Sequence, residues 1–325
     1  MKSEILRLLK ECDGYLSGQQ LCDHFQVSRT AVWKVIEQLK KEGYQIEAVR
    51  NKGYRLVGSP DVLSKAEIES LVQTKWAGRR VVYYEETDST NIRAKDAGEK
   101  GGEQGTLFIA ERQAAGKGRR GRAWESPAGT SIYMTLLLHP DFLPGKAPQL
   151  TLLMGVAVAE AIRQVTGLNA VIKWPNDIIF HGKKLCGILT EMSTEIGCIN
   201  YVVIGVGINV NQETFPEEIK DKATSLRLET GGRLRRAELI AAVMERFEAY
   251  YETFLKTKDL SGVRERYNRL LVNRNQEVKV IEPGNEYEAY AIGINDTGEL
   301  LVRTKDGERA IFAGEVSVRG VYGYV

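Results

Sequence analysis

The residues best equipped for chemistry lie between Glu111 and Gly129, in the stretch ERQAAGKGRRGRAWESPAG. Glycines at 116, 118 and 121 alternate with Lys117, Arg119, Arg120 and Arg122, and Trp124 follows. Four cations within six residues repel one another. A glycine-rich segment brings no side-chain core, so ordering such a loop is costly on its own. A polyanion supplies both the counter-charge and the acceptors, because guanidinium forks and bare backbone N–H groups suit phosphate oxygens. The Trp124 indole offers a flat face to an aromatic base. Three plainer readings stand beside this one. Gly116-x-Gly118-x-x-Gly121 spells a dinucleotide fingerprint, but that fingerprint needs a helix directly after it, and RAWESPAGTS is not helical in pattern. The Gly116-to-Gly121 spacing resembles a P-loop, but Arg122-Ala123 replaces the Lys-Ser/Thr pair and removes magnesium's hydroxyl ligand. The third is a solvated basic surface loop.

The elements that must position these residues form three groups. Residues 1–60 read as helices and a hairpin. Ile5, Leu6, Leu8 and Leu9 give one helical face. Ser17 with Gln20 forms a capping box for the next helix, and Ser28 caps a third, with Ala31, Val32, Val35, Ile36 and Leu39 at helical spacing. Helix, tight turn, helix is a helix-turn-helix, and YQIEAVRNKGYRLVG alternates around Asn51-Lys52-Gly53 as a β wing. Residues 1–57 hold ten bases against seven acids, several on the third helix and the wing. Ser28, Arg29, Thr30, Lys34, Arg50 and Lys52 are the DNA-facing candidates; use of such a unit for protein contact alone is the competing reading. The pattern leaves Trp33 either in the core or beside a groove.

Gly58-Ser59-Pro60 breaks the pattern as a linker. From 65 to 270 a short helix leads into strands and helices of an α+β domain with a mixed sheet. VVYYEET is a strand followed by a helix at DSTNIRAKDAG; Asp88, Ser89 and Thr90 sit at the junction, as caps or as partners of a small polar ring. QLTLLMGVAVAEAIRQVTG reads as a buried helix ended by Gly167. IIF, KLCGILTEM and YVVIGVGINVN read as strands. Residues 212–225 read as a mobile polar loop, and RAELIAAVMERFEAYYETFL as a long amphipathic helix. From 272 to 325 five strands (EVKVI, YEAYAIGI, LLVRT, RAIFAG, EVSVRG) between Gly, Asn and Asp turns suggest a small SH3-like barrel.

The chain has 325 residues with 45 bases and 43 acids, and that length argues for more than one domain. No 18-residue uncharged apolar run is present, so no membrane partner is expected. The four cysteines form no CxxC pair and do not group with the three histidines, so zinc is not expected and a cytoplasmic, reducing compartment fits. Cys186 and Cys198, in strand-like runs, are expected to be buried.

GKGRRGRAW, preceded by Gln113, resembles the glycine–arginine loop of biotin–protein ligases. KWPND at Lys173–Asp177, KLCGIL from Lys184, GVGINVN at Gly205–Asn211 and the terminal GEVSVRG resemble further segments of that family, in the family's order. With the helix-turn-helix, the whole chain resembles the bifunctional biotin–protein ligases that also repress a biotin operon. The resemblance implies activation of biotin by ATP to biotinyl-AMP, then transfer of biotin to a lysine of a biotin carboxyl carrier protein. It implies biotin contacts from Ser89, Thr90, Asn91, Gln113, Lys117, Gly118, Arg119 and Lys184, with Arg119 and Lys184 acting catalytically. It implies adenylate contacts from Arg120, Arg122, Trp124, Asn176 and Asn209, and magnesium at the phosphates, with Asp177 as a ligand. It further implies a homodimer on operator DNA when biotinyl-AMP is bound. A biotin-sensing repressor without catalysis, a ligase without repression and a lipoate-type ligase are the alternatives.

Overall fold

The computed structural model describes residues 1–282, 284–313 and 317–320. The chain begins with α1 (Lys2–Glu11), α2 (Gly18–Phe25), α3 (Arg29–Lys41) and the antiparallel hairpin β1 (Gln45–Val49) and β2 (Gly53–Gly58). The capping box forms as its letters predict: Gln20 N–H donates to the Ser17 hydroxyl at 3.0 Å, and Ser17 N–H donates to the Gln20 side chain at 2.9 Å. Ser28 accepts from Ala31 N–H at 3.3 Å and starts α3. Ile5, Leu6, Leu9, Leu21, Val32, Ile36 and Leu39 close into a core of their own.

This N-terminal unit is fastened to the next through α4 (Lys65–Leu71), on which α1 packs. Glu67 is buried there, 2.7 Å from Lys10 Nζ, and accepts from Tyr44 Oη at 2.6 Å. A buried carboxylate is tolerated because it is paired and hydrogen-bonded.

The central domain contains β3 (Val81–Thr87), α5 (Thr90–Gly98), β4 (Leu107–Gln113), β5 (Ser131–Leu138), α6 (Ala147–Thr166), β6 (Val171–Lys173), β7 (Asp177–Phe180), β8 (Lys183–Glu195), β9 (Cys198–Asn209), α7 (Leu226–Thr230), α8 (Arg236–Thr257) and α9 (Arg264–Leu270). Its seven strands run in the order β3-β4-β5-β9-β8-β7-β6. The sheet is mixed: β3 and β4 pair in parallel, and the remaining neighbours pair antiparallel. Strand residues alternate between faces. Ile109, Leu136, Leu138 and Ile204 join the core beneath α6 and α8, while Phe108, Leu137 and Val203 pack with Ala94 of α5. With both faces covered, β5 is buried along its whole length. On α8, Ile240, Val243, Phe247, Tyr251 and Phe254 are all buried, as their spacing predicts.

The remaining strands, β10 (Gln276–Glu282), β11 (Asn285–Ile294), β12 (Leu300–Thr304), β13 (Gly307–Ile311) and β14 (Ser317–Gly320), make a five-stranded antiparallel sheet in the order β13-β12-β11-β10-β14.

Several expectations need correction. Cys186 is buried, but Cys198 is exposed, because it opens β9 beside the turn at Ile196-Gly197. The fourth C-terminal strand is shifted toward its turn, ending at Ile311 instead of running on through Phe312-Ala313. The two short helices α7 and α9 fall where no helix is predicted; five and seven residues are too few to show a helical period. Pro283 of the predicted turn, Gly314 at the end of the predicted fourth strand, Glu315 and Val316 of the predicted last strand, and the tail from 321 lie outside the described residues.

Candidate active site

The basic loop is held by its own backbone. Gly118 N–H donates to Arg122 O at 2.8 Å and Trp124 N–H to Gly116 O at 2.9 Å, so the segment closes as a miniature hairpin with a tight turn at Arg119–Gly121, where Arg120 takes a left-handed φ of 60°. Gly116 is required for close approach: a Cβ there would lie 2.5 Å from Trp124 O and 2.7 Å from Ser126 Oγ. Arg119 folds inward, donating to Asn176 Oδ1 at 2.9 Å and to Ala313 O at 3.1 Å. Burial pushes its pKa below the usual guanidinium value, against the pull of Asp177. Lys117, Arg120 and Arg122 stay exposed.

Inside the loop lies a small polar cavity of about 50 Å³, lined in part by Ser89, Thr90, Asn91, Gln113, Lys117 and Arg119. Ser89 and Thr90 come from the junction of β3 and α5. Ser89 is the N-cap residue, but its hydroxyl makes no capping bond, so capping does not account for it. Thr90 N–H donates to Gln113 Oε1 at 2.8 Å, and Gln113 Nε2 donates to Ser126 Oγ at 3.0 Å. The Trp124 indole forms part of the cavity wall. The ring is seated on Gly187 and Gly207, which pair across β8 and β9; a Cβ would come within 3.0 Å and 2.6 Å of it, respectively. Lys184 Nζ lies 5.3 Å from the ring centroid.

On the other side of Arg119 a cavity of about 530 Å³ opens. It is lined by Arg120, Arg122, Trp124, Lys173, Asn176, Asp177, Lys184, Asn209 and Arg319, and is closed over by Gln212, Phe215, Pro216 and Ile219. The polar loop 212–225 therefore forms part of this wall. Asn209 is buried, and its amide donates to Thr224 O at 3.1 Å, fixing the end of that loop beside β8. Asn176 spends its amide on Ile188 O at 3.2 Å while its oxygen holds Arg119. Lys184 Nζ is 2.6 Å from Asp177 Oδ1. Lys173 is buried, and burial pushes its pKa down to about 8, opposed by Asp177 and reinforced by Lys184.

No group of three or more metal-ligating side chains occurs among the described residues. Asp177 is a single carboxylate already ion-paired with Lys184. These residues do not make a magnesium site by themselves; an ion here would depend on phosphate oxygens for most of its ligands.

The structure thus brings Ser89, Thr90, Asn91, Gln113, Lys117, Gly118, Arg119, Trp124, Asn176 and Lys184 around one cavity, and Arg120, Arg122, Asp177 and Asn209 around the adjoining one. Sequence reasoning assigned no role to Lys173, Glu191 or the glycine pair 187 and 207. Lys173 stands inside KWPND, where a lysine in an apolar strand was the available signal; the other three acquire meaning only through strand register. In the N-terminal unit, Arg29, Thr30, Lys34, Arg50 and Lys52 are exposed. Ser28 is used as the α3 cap, and Arg29 donates to Gln19 Oε1 at 2.9 Å. Trp33 is about half exposed, which places it outside the core.

A helix-turn-helix unit, a mixed-sheet domain with a cationic loop between two joined cavities, and a small C-terminal sheet define a ligase-type enzyme joined to a DNA-binding module. The profile of the biotin/lipoate A/B protein ligase family matches residues 83–209, an HTH domain matches 2–55, and the biotin protein ligase C-terminal domain matches 275–319. The chain is 38% identical over 98% of both chains to the bifunctional ligase/repressor BirA of Bacillus subtilis (strain 168). It is 32% identical to BirA of Escherichia coli (strain K12), over 93% of this chain and 92% of that one. A biotin protein ligase from Aquifex aeolicus, solved with biotin and ATP, superposes with a TM-score of 0.66 at 33% identity, covering 74% of this chain and 99% of that one. The chain belongs to the family of bifunctional biotin–protein ligases and repressors.

Proposed function

We propose that the protein activates biotin with ATP, transfers it to a lysine of a biotin carboxyl carrier protein, and represses transcription of biotin biosynthesis genes as a homodimer holding biotinyl-AMP. The observation that carries the catalytic part is the shared wall: Gly118, Arg119, Trp124, Asn176 and Lys184 border both the small polar cavity and the larger cationic one. A carboxylate reaching from the first and a nucleotide lying in the second would meet at Arg119.

In the first step a biotin carboxylate oxygen attacks the α-phosphorus and pyrophosphate leaves. Arg119 and Lys184 hold the two anionic reactants together and offset the charge that builds on the phosphoryl oxygens. In the second step the neutral amine of the carrier lysine attacks the acyl carbon. AMP departs with the bonding pair, the nitrogen gives up a proton to solvent, and an amide is formed. The ureido ring occupies the polar cavity among Ser89, Thr90, Asn91 and Gln113. A cavity of about 50 Å³ is far below the roughly 300–1,000 Å³ of small-molecule sites. Biotin therefore enters by displacing the Trp124 indole, which then stacks on adenine. Arg120, Arg122, Asn176 and Asn209 surround the adenylate. Magnesium would take most of its ligands from the phosphates, with Asp177 as the carboxylate that could hold it, and would supply charge neutralisation there.

Residues 1–60 are assigned to operator binding through Ser28, Arg29, Thr30, Lys34, Arg50 and Lys52, residues 65–270 to catalysis and residues 272–325 to an accessory C-terminal domain. Among the described residues no helix is long and apolar enough to cross a membrane, and the four free cysteines fit a reducing, cytoplasmic setting.

The test incubates the protein with ATP and a carrier domain, supplying either biotin or lipoate, and follows pyrophosphate and label. Biotin-dependent pyrophosphate release with label on one carrier lysine is expected. Lipoate labelling, or biotin binding without pyrophosphate, would replace this function with one of the alternatives. Deleting residues 1–60 should abolish operator binding and leave pyrophosphate release intact. Loss of pyrophosphate release from a folded truncated protein would show the labour divided otherwise.

A further inference from the structure

We infer that Glu191, outside the small cavity's wall, is a positioning residue that fixes the donor and acceptor pattern presented to the ureido ring. This rests on the biotin reading of that cavity. Asn91 Nδ2 donates to Glu191 Oε2 at 2.7 Å, and Lys95 Nζ donates to Glu191 Oε1 at 2.9 Å. Thr135 Oγ1 is 2.6 Å from Asn91 Oδ1 and 2.8 Å from Thr90 Oγ1. Thr90 Oγ1 is in turn 3.1 Å from Gln113 Oε1.

The proton count orders this chain. A carboxylate only accepts, so the Asn91 amide must turn its NH₂ toward Glu191 and its oxygen toward Thr135. An amide oxygen cannot donate, so the single Thr135 proton goes to Asn91. The Thr90 hydroxyl must then give its own proton to Thr135 or to Gln113. Toward the cavity Thr90 offers a lone pair, which suits a ureido N–H. An Asn91 amide turned the other way would set its NH₂ beside Thr135 in place of the oxygen, send the Thr135 proton to Thr90 and take one of that hydroxyl's two lone pairs.

The geometry leaves Asn91 little freedom. A Cβ at Gly205 would lie 2.1 Å from Asn91 Oδ1, so the bare glycine makes room for the amide at this spot. Burial pushes the Glu191 carboxyl up, but its bonds from Asn91 and Lys95 and the Lys95 and Lys117 charges outweigh this and hold it below its ordinary value. Glu191 thus remains an acceptor at neutral pH.

The test uses the full chain with biotin, ATP and a carrier domain. Glu191→Ala should raise KM for biotin by roughly tenfold, because the buried Asn91 amide loses its 2.7 Å acceptor and keeps only the longer contact to Leu189 O at 3.4 Å, and shift KM for ATP by less than about twofold. N91D alone should be at least as impaired, since it sets two carboxylates against each other. N91D combined with E191Q should recover to within about threefold of wild type, because the new glutamine can donate to the new carboxylate and Thr135 again meets an acceptor. A KM for biotin within about twofold of wild type in Glu191→Ala, or no recovery in the folded double variant, overturns the inference. If Glu191→Ala does not fold, the double variant decides alone. Wild-type turnover with biotin in the same assay separates failure of this inference from failure of the biotin reading.

Discussion

Arg119 is the residue on which both cavities depend. Its inward fold onto Asn176 and Ala313 sets a guanidinium in the wall shared by the two cavities, where the proposed reaction joins carboxylate and phosphate. Arg119→Gly removes a charge-assisted contact worth about 1.5–3 kcal/mol to biotinyl-AMP. The adenylate should dissociate faster and acylate exposed lysines at random. A stopped-flow off-rate equal to wild type would remove Arg119 from that role. Lys173 supplies a second residue-level prediction, with a definite sign. In the fold it loses its proton near pH 8, whereas the unfolded chain keeps it to about pH 10.4. Between those values the native state holds fewer protons, so this group's contribution to stability rises with pH. Over the same window the cavity proposed for the nucleotide loses a cation from its wall. KM for ATP should therefore climb above about pH 8 in wild type, while Lys173→Met should show a raised KM with no inflection there. A flat wild-type profile would exclude Lys173 from nucleotide binding. The letters of the basic loop and of KWPND single out residues that the fold brings to the two cavities, because charge and glycine spacing are local properties. Lys173, Glu191 and Gly205 escaped that reading because each depends on which strand lies beside it.

At the scale of elements, what was legible followed from period and punctuation. The capping box at Ser17, the buried stripe of α8 and the five C-terminal strands repeat often enough to be recognised. The helices α7 and α9 do not, and the buried ion cluster that ties the linker to the sheet joins residues too distant in sequence to suggest one another. Arg236 is almost wholly buried; its Nε is 3.2 Å from Asp61 Oδ1 and its Nη1 is 2.8 Å from Glu111 Oε1. Glu111 also accepts from Gly129 N–H at 2.6 Å, just beyond the basic loop. Arg236→Ala would leave two carboxylates poorly compensated, and removal of one partner of a buried pair costs about 3–5 kcal/mol. Urea unfolding should show a lower midpoint by that measure. An unchanged midpoint would mean that solvent reaches the cluster.

At the scale of the molecule, the cationic loop and the helix-turn-helix are separate units that must communicate if one is to control the other. Glu111 and Arg236 connect the end of the loop segment to Asp61 in the linker, and Glu67 clamps α1 to α4 through Lys10 and Tyr44. The DNA-binding unit therefore rides on the central domain with a defined placement, and under the proposed function a ligand in the cavities would act on DNA by changing assembly. A ligand shifts such an equilibrium only through a difference in affinity for the two states. Biotin alone brings one carboxylate to the cations of the loop. The adenylate adds a phosphate for Arg119 and its neighbours and a base for Trp124, so it draws more of the loop into one arrangement. A self-complementary surface ordered in this way would give the proposed two-fold dimer, and two winged helices related by that axis would fit a palindromic site. Operator affinity should accordingly require biotin and ATP together and be weak with either alone. By reciprocity, the dimer should hold the adenylate more tightly than the monomer does. Sedimentation and operator titration with biotin, with ATP, with both, and with a non-hydrolysable adenylate analogue test this directly. The last two conditions should produce dimer and tight DNA binding at the same protein concentration. Equal operator affinity in all four would uncouple the cavities from the DNA-binding unit and leave the ligase chemistry without a regulatory output.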